Sequence, residues 1–365
     1  MNNTMNNTKN NTKQKNIKNK NANDKTVKYE IAKEKLEKSP RTFLLTGGAG
    51  FIGSNILETL LLLNQKVIVI DDLSTGYQEN IDDVLNLVGK KAKNCVFIKG
   101  DIRDYDLIKD TLKKKVSAVI HQAAIGSVPR SLDEPQYSEA VNVGGFVNIL
   151  KAMSESNVKR IVFASSSSVY GDNQDEYKKE EKIGKLLSPY ALTKYADELY
   201  ADLYARLYGV EYVGLRYFNV FGKRQNPKGA YAAVIPLWVD SILNGKKCTI
   251  NGDGSTSRDF CYVKNVIQAN ILGATLEDKN ALNNIYNIAF GKRTTLKELY
   301  KMIVSSLEAL GFNNLDKEPL YKPFRKGDIL HSLADISKSK ALLGYAPKYS
   351  IQDGMEEYLS NFKKA

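Results

Sequence analysis

Residues 46–53 read TGGAGFIG, and no other stretch restricts the fold of this chain so strongly. Gly47, Gly50 and Gly53 fall between an apolar run with the character of a strand and one with helical spacing. Glycines at such a junction permit a tight turn, close approach of a pyrophosphate to N–H groups at a helix N-terminus, and close helix-on-strand packing. The spacing is GxxGxxG rather than GxGxxG, and the physical demands are the same. About twenty residues further on, KVIVIDD sets Asp71 at the end of the next strand. A carboxylate there accepts hydrogen bonds from ribose hydroxyls and repels a 2′-phosphate, so NAD is favoured over NADP.

The rest of the body repeats the same alternation. FLLTG, KVIVIDD, CVFIKGD, AVIHQAA, RIVFASSSS, YVGLRYF and IYNIA are short apolar runs separated by helical or loop-like sequence. That order predicts an α/β fold, a Rossmann-type doubly wound parallel sheet with helices on both faces. Beyond Asn219 the pattern loosens into Gly-, Asn- and Pro-rich loops, with helices expected at Val234–Leu243, Val266–Leu276 and Leu296–Leu310. The expected organisation is a basic tail over 1–38, an NAD-binding domain over 39–218 with roughly 259–290, and a smaller α/β substrate domain from 219–258 and 291–363.

Several function classes are disfavoured by composition. No apolar run approaches the roughly 18–20 residues that span a bilayer, so a soluble, cytoplasmic protein without a membrane partner is expected. Cys95, Cys248 and Cys261 are widely spaced, which suggests neither a disulfide framework nor a metal cluster. The net charge of +12 hints at nucleic acid, but half of that excess lies in residues 1–38, where ten lysines outnumber the acids. The remainder is too dilute for a concentrated basic groove, and no specific nucleic-acid partner is expected. The Asn-, Lys- and Thr-rich start cannot bury enough apolar surface to offset its ordering entropy and is read as a disordered extension. After it, YEIAKEKLEK over Tyr29–Lys38, with Ile31 and Leu36 at helical spacing, predicts a short helix leading into the body.

The chemistry is expected on SPYALTKYADELYADLYARLYG. Ser188 suits the N-cap, Pro189 the first helical position and Gly209 the stop. Tyr190 and Lys194, four apart, then share one helical face. A tyrosine, at a reference pKa of ~10, is a poor base at neutral pH, but an ammonium group and a positive nicotinamide ring both favour its phenolate. YxxxK alone carries little information. Its weight comes from ASSSSVYG upstream, where serine hydroxyls at a strand end can polarise a reacting oxygen.

The glycine turn, strand-end Asp, serine cluster and YxxxK occur in the order of the extended short-chain dehydrogenase/reductase family, which the chain resembles from about Phe43 to its C-terminus. Within that family it is similar to the UDP-N-acetylglucosamine 4-epimerases. The resemblance implies bound NAD, with Gly47, Gly50, Phe51, Ile52 and Gly53 at the pyrophosphate, Asp71 at the ribose, and Asp101 and Ile102 beside the adenine. Gln122, Ala123, Ala124, Tyr217 and Phe218 would flank the cofactor. Ser166, Tyr190 and Lys194 would be catalytic, with Ser167 and Ser168 facing the sugar. For a UDP-sugar it implies Asn219, Arg258 and Arg325 at the diphosphate, and Ala233, Val234, Thr249, Ile250 and Asn251 at the uridine. Ser127 and Arg130 are candidates for sugar contact. In related galactose epimerases a bulky Tyr, four residues after the Asp of a Gly-Asp pair, excludes the acetamido group. In GDILHS, counting from Asp328, that position holds Ser332, which leaves room for an N-acetyl substituent. His121 and His331 are read as structural.

The implied function is reversible 4-epimerisation of UDP-N-acetylglucosamine and UDP-N-acetylgalactosamine, with plain UDP-hexoses as further substrates, in polysaccharide biosynthesis. A homodimer is implied, joined through the helix of Tyr190 and the one around Val143–Glu155. The alternatives are a uronate epimerase, a 4,6-dehydratase, a silent sugar-nucleotide sensor, or nucleic-acid binding by the tail. A dehydratase resembling those of this family would carry Asp-Glu near the serine position, where this chain has SSSSVYG.

Overall fold

All seven apolar runs form strands of one parallel sheet. The structure, a computed structural model, describes residues 28–227, 233–324, 330–360 and 362. The elements run α1 (28–38), β1 (Thr42–Thr46), α2 (Phe51–Leu62), β2 (Lys66–Asp71), α3 (Gln78–Val88), β3 (Cys95–Lys99), α4 (Tyr105–Leu112) and β4 (Ala118–His121). Next come α5 (Val128–Asp133), α6 (Pro135–Glu139), α7 (Gly145–Ser154), β5 (Arg160–Ser166), β6 (Tyr177–Lys178), α8 (Pro189–Tyr208), β7 (Glu211–Tyr217), β8 (Val220–Phe221) and α9 (Val234–Leu243). The chain continues through β9 (Thr249–Asn251), β10 (Ser257–Asp259), β11 (Cys261–Tyr262), α10 (Val263–Ala274), β12 (Asn284–Ile288), β13 (Arg293–Thr295), α11 (Leu296–Ala309), β14 (Leu320–Lys322), β15 (Leu333–Ala334) and α12 (Ile351–Ser360).

The main sheet has the order β12-β7-β5-β4-β1-β2-β3. Strand order reverses between β1 and β4, and the crevice at such a switch point is where doubly wound sheets take their ligands. Both sheet faces are covered, so the strands are apolar throughout rather than alternating. On one face α2, α3 and α10 share a core with Leu45, Val67, Val69 and Ile120; on the other α4, α7 and α8 enclose Leu44, Ile68, Phe146 and Phe163. Each such fully buried side chain contributes about 1.5–3 kcal/mol. The first of these cores continues without a break into α9, α11 and α12, so the C-terminal lobe and the sheet share one interior.

Residues 28–38, assigned with the tail by composition, form a helix docked on the body. Leu36 is fully buried and Ala32 nearly so, whereas Ile31 points outward. The Gln65 amide caps the Leu36 carbonyl at 2.9 Å, and Lys35 pairs with Glu277 at 3.0 Å. Residues 1–27 lie outside the described residues. No helix among the described residues is long and apolar enough to cross a membrane.

Candidate active site

The glycine turn leads directly from β1 into α2. Gly47 adopts φ +71, and a Cβ there would stand 2.5 Å from the Ala123 nitrogen. A Cβ on Gly53 would collide with the Gly47 carbonyl, so the turn and the helix meet with no room for a side chain. The free N–H groups at the head of α2 face a cavity of about 830 Å³ lined by Gly47, Gly50, Phe51, Ile52 and Gly53. Asp71, at the end of β2, lines the same cavity; its two oxygens accept from the Ala49 and Leu73 N–H groups, each at 2.9 Å. Burial pushes its carboxyl pKa up, and those two hydrogen bonds oppose the rise. Asp101 and Ile102 line the cavity too, with Asp101 held by Arg103 at 2.5 Å, a hydrogen bond that keeps its carboxyl below the usual range. Gln122, Ala123 and Ala124 form the floor. There Tyr217 donates to Gln122 at 3.2 Å and accepts from Asn270 at 2.8 Å.

An elongated glycine-lined cleft with a strand-end carboxylate fits a dinucleotide, and its volume lies in the range of small-molecule sites. The acidic rim of Asp71, Asp72 and Asp101 suits ribose hydroxyls rather than an added phosphate.

The helix carrying Tyr190 forms as its sequence dictates. The Ser188 hydroxyl accepts from Ala191 N–H at 3.1 Å, Pro189 opens the helix, and Gly209 closes it at φ +67. Tyr190 and Lys194 both line the cavity, as does Ser166 at the end of β5. The Tyr190 N–H donates to Ser131 at 3.0 Å, and the Ser166 hydroxyl accepts from the Ser168 N–H and hydroxyl at 3.1 and 2.9 Å. Lys194, nearly inaccessible, donates to Asp197 one turn on at 3.1 Å. Burial pushes the Asp197 carboxyl up and the Lys194 charge pulls it down. Beneath them Glu198 accepts from Ser165 at 2.5 Å and from Arg216 at 2.7 and 2.8 Å, which locks α8 to the ends of β5 and β7. The chain thus places a phenol, an ammonium and a hydroxyl at one end of a dinucleotide groove.

The remaining expected residues divide. Ser127, Arg130, Asn219 and Ala233 line the cavity. Phe218, Ser167 and Ser168 do not; the Phe218 ring turns into a separate apolar cluster against Tyr170. Val234 heads α9, and Thr249, Ile250 and Asn251 pair with β14 in a small parallel ladder away from that cavity. Arg258 and Ser332 are brought together by Ser257, whose carbonyl accepts from Arg258 at 2.9 Å and from the Ser332 N–H at 3.2 Å. Both lie beside a hollow of about 410 Å³ lined by Ser255, Ser257, Arg293, Thr295, Glu298 and His331. Arg325 and Asp328 lie outside the described residues. His121 is buried, bonded to Thr46 at 2.7 Å.

Tyr77, Gln225, Asn226 and Glu134 also line the cavity without having been singled out in the sequence. They sit on loops with no local motif. Asp197 was legible in principle, since i,i+3 spacing from Lys194 on a helix puts the two side chains in reach.

Fold and site together define a dinucleotide-binding protein of the Rossmann class with a Tyr–Lys pair lining the same cleft. The sequence profile described as the NAD dependent epimerase/dehydratase family matches residues 43–289, and the chain belongs to that family. NAD is its cofactor. A Methanocaldococcus jannaschii protein, provisionally named UDP-glucose 4-epimerase, is 40% identical over 321 residues, which cover 88% of this chain and 98% of that one. The UDP-N-acetylglucosamine 4-epimerase of Methanobrevibacter ruminantium, solved with UDP-N-acetylmuramic acid, is 38% identical at a TM-score of 0.80, covering 88% and 98% of the two chains. The UDP-glucose 4-epimerase of Thermus thermophilus, solved with NAD, is 33% identical at a TM-score of 0.75, covering 89% and 99%.

Proposed function

We propose that the chain interconverts UDP-N-acetylglucosamine and UDP-N-acetylgalactosamine by inversion at carbon-4, with UDP-glucose and UDP-galactose as further substrates. The observation that carries the reading is the meeting of Ser166, Tyr190 and Lys194 in the cleft that holds the glycine turn and Asp71. The bound NAD supplies a reversible hydride acceptor. Tyr190 takes the proton from the 4-hydroxyl and later returns it, Ser166 steadies that oxygen by a hydrogen bond, and Lys194 favours the phenolate by its charge. Asn219 and Arg258, with Arg325, hold the diphosphate, while the sugar stays loosely held and presents either face of carbon-4. Guanidinium forks suit paired phosphate oxygens.

Ser332 supports the choice of acetamido sugars by its resemblance, since it stands at the position where a tyrosine excludes the acetamido group in related galactose epimerases. The reading also takes support from the similar M. ruminantium enzyme, whose bound ligand is itself an N-acetylated sugar nucleotide. Such a product serves polysaccharide assembly in the cytoplasm. A homodimer through α8 fits the exposed Leu192, Leu199, Leu203 and Leu207, which recur along one stripe of the helix. Of the apolar residues of α7, expected to join that contact, Phe146, Ile149, Leu150 and Met153 are fully buried in the chain's own core, and Val147 is half-buried.

Incubation of the protein with UDP-N-acetylglucosamine and no added cofactor should yield UDP-N-acetylgalactosamine. Absence of product from folded protein carrying NAD overturns the assignment.

A further inference from the structure

The segment that leaves β8 is fastened to the cofactor half of the molecule rather than to the lobe it leads into. The Asn55 amide of α2 donates to the Lys223 carbonyl at 2.9 Å. Arg224, a non-glycine residue at φ +65, buries its side chain to 5% exposure between two helices. Its Nε donates to Asp83 of α3 at 2.8 Å, and its Nη2 pairs with Glu58 of α2. Burial alone would raise the Asp83 carboxyl, but the hydrogen bond from Arg224 and the charge of Lys223 hold it below its usual range.

Two residues beyond Arg224, the Asn226 amide donates to the Tyr77 hydroxyl at 2.5 Å. Tyr77 belongs to the loop that follows Asp71, and its N–H donates to the Ala49 carbonyl inside the glycine turn at 3.1 Å. Tyr77 and Asn226 both line the dinucleotide cavity, reaching it from separate segments. The left-handed backbone at Arg224 is one that L residues adopt only when their surroundings over-determine it. Here two carboxylates, one from α2 and one from α3, supply that determination.

We infer that residues 222–227 form a latch across the end of the cavity marked by Asp71, with Arg224 as its fastening residue and the Asn226–Tyr77 hydrogen bond as its bar. A dinucleotide leaves only after that bond opens and the segment lifts, and lifting it breaks the pairs of Arg224 with Glu58 and Asp83. A reaction that returns its hydride each cycle gains from such retention, because the cofactor never needs to exchange.

The test is release of NAD from the full-length protein with no sugar nucleotide present, so it does not depend on the substrate assignment. Protein purified with NAD is mixed with excess labelled NAD, and bound label is followed with time in the unaltered chain, Glu58→Gln/Asp83→Asn, Tyr77→Phe and Arg224→Ala. Loss of one or two charge-assisted or bridging hydrogen bonds should speed exchange by about tenfold or more in each variant. Arg224→Lys should recover part of the retention. Thermal unfolding confirms that each variant is folded; if Arg224→Ala is not, the carboxylate and Tyr77 variants decide. Unchanged exchange in those folded variants, or complete exchange of the unaltered chain within the mixing time, overturns the latch.

Discussion

The two ends of the ligand-binding region are built differently. The cofactor end is made by the main chain at the carboxyl ends of β1, β2, β4 and β5, and each expected contact there except Phe218 lies on a single cavity. The substrate end is made by short two-stranded ladders and loops, and Thr249, Arg258 and Ser332 are not on that cavity. A parallel sheet forces its strand ends together whatever their side chains, so a site placed there is assembled by folding itself. A site on loops depends on each loop's own anchors, and here Ser257 and the Asp259 carboxylate supply them. Asp259, fully buried, accepts from the N–H groups of Phe290, Gly291 and Ala334 at 3.0–3.4 Å.

The largest effect should come from the cofactor end. Tyr190→Phe should lower turnover by about 10²–10⁴-fold while NAD content is kept, since it removes only the proton acceptor. A variant that retains more than a tenth of the activity would show that Tyr190 is not the base. At the substrate end the expected changes are smaller and selective. Ser332→Tyr should cost acetamido substrates on the order of 10–200-fold in kcat/KM and plain UDP-hexoses much less. Equal losses on both would break the steric argument. Arg258→Ala should raise the KM for UDP-sugars by about tenfold, the loss of one charge-assisted contact, with NAD exchange unaltered. A fall in NAD content instead would erase the distinction between the two ends.

The remaining effect is nil at neutral pH and appears in stability only on acidification. His121 lies under the cofactor end, and burial first, then the Lys194 charge, pushes its pKa down to about 3. In the unfolded chain it titrates near 6.5. Between those values the unfolded state holds the extra proton, so stability drops as pH falls through about 6.5 toward 3, and the contribution vanishes at neutral pH. His121→Gln should flatten the plot of unfolding free energy against pH by about 1.4 kcal/mol per unit over that window. Identical slopes would mean that the imidazole is hydrated in the folded protein.

Much of the fold was legible because its signals are local. The seven apolar runs became the seven strands, Ser188, Pro189 and Gly209 bounded α8 as their caps require, and Val234–Leu243 matched its helix end to end. The helix expected at Val266–Leu276 instead begins at Val263, directly after β11, because an apolar stripe alone does not mark where a strand hands over to a helix. Of Ile31 and Leu36, read at helical spacing, only Leu36 is buried, together with Ala32, since a short helix with few apolar residues takes its orientation from the surface it meets.

The sequence by itself determined the class of sheet, the glycine turn and the Tyr190–Lys194 face of one helix, because each depends on residues within a few positions of one another. Only the tertiary structure decided which groups share a cleft. Tyr217 and Phe218 are adjacent, so their side chains leave the strand end on opposite sides, and sheet packing put the tyrosine in the cleft and the phenylalanine in the interior. The same holds for Arg224, whose partners Glu58 and Asp83 are more than a hundred residues away. Their meeting is set by how α2, α3 and the segment after β8 close over the switch point, which no local pattern records.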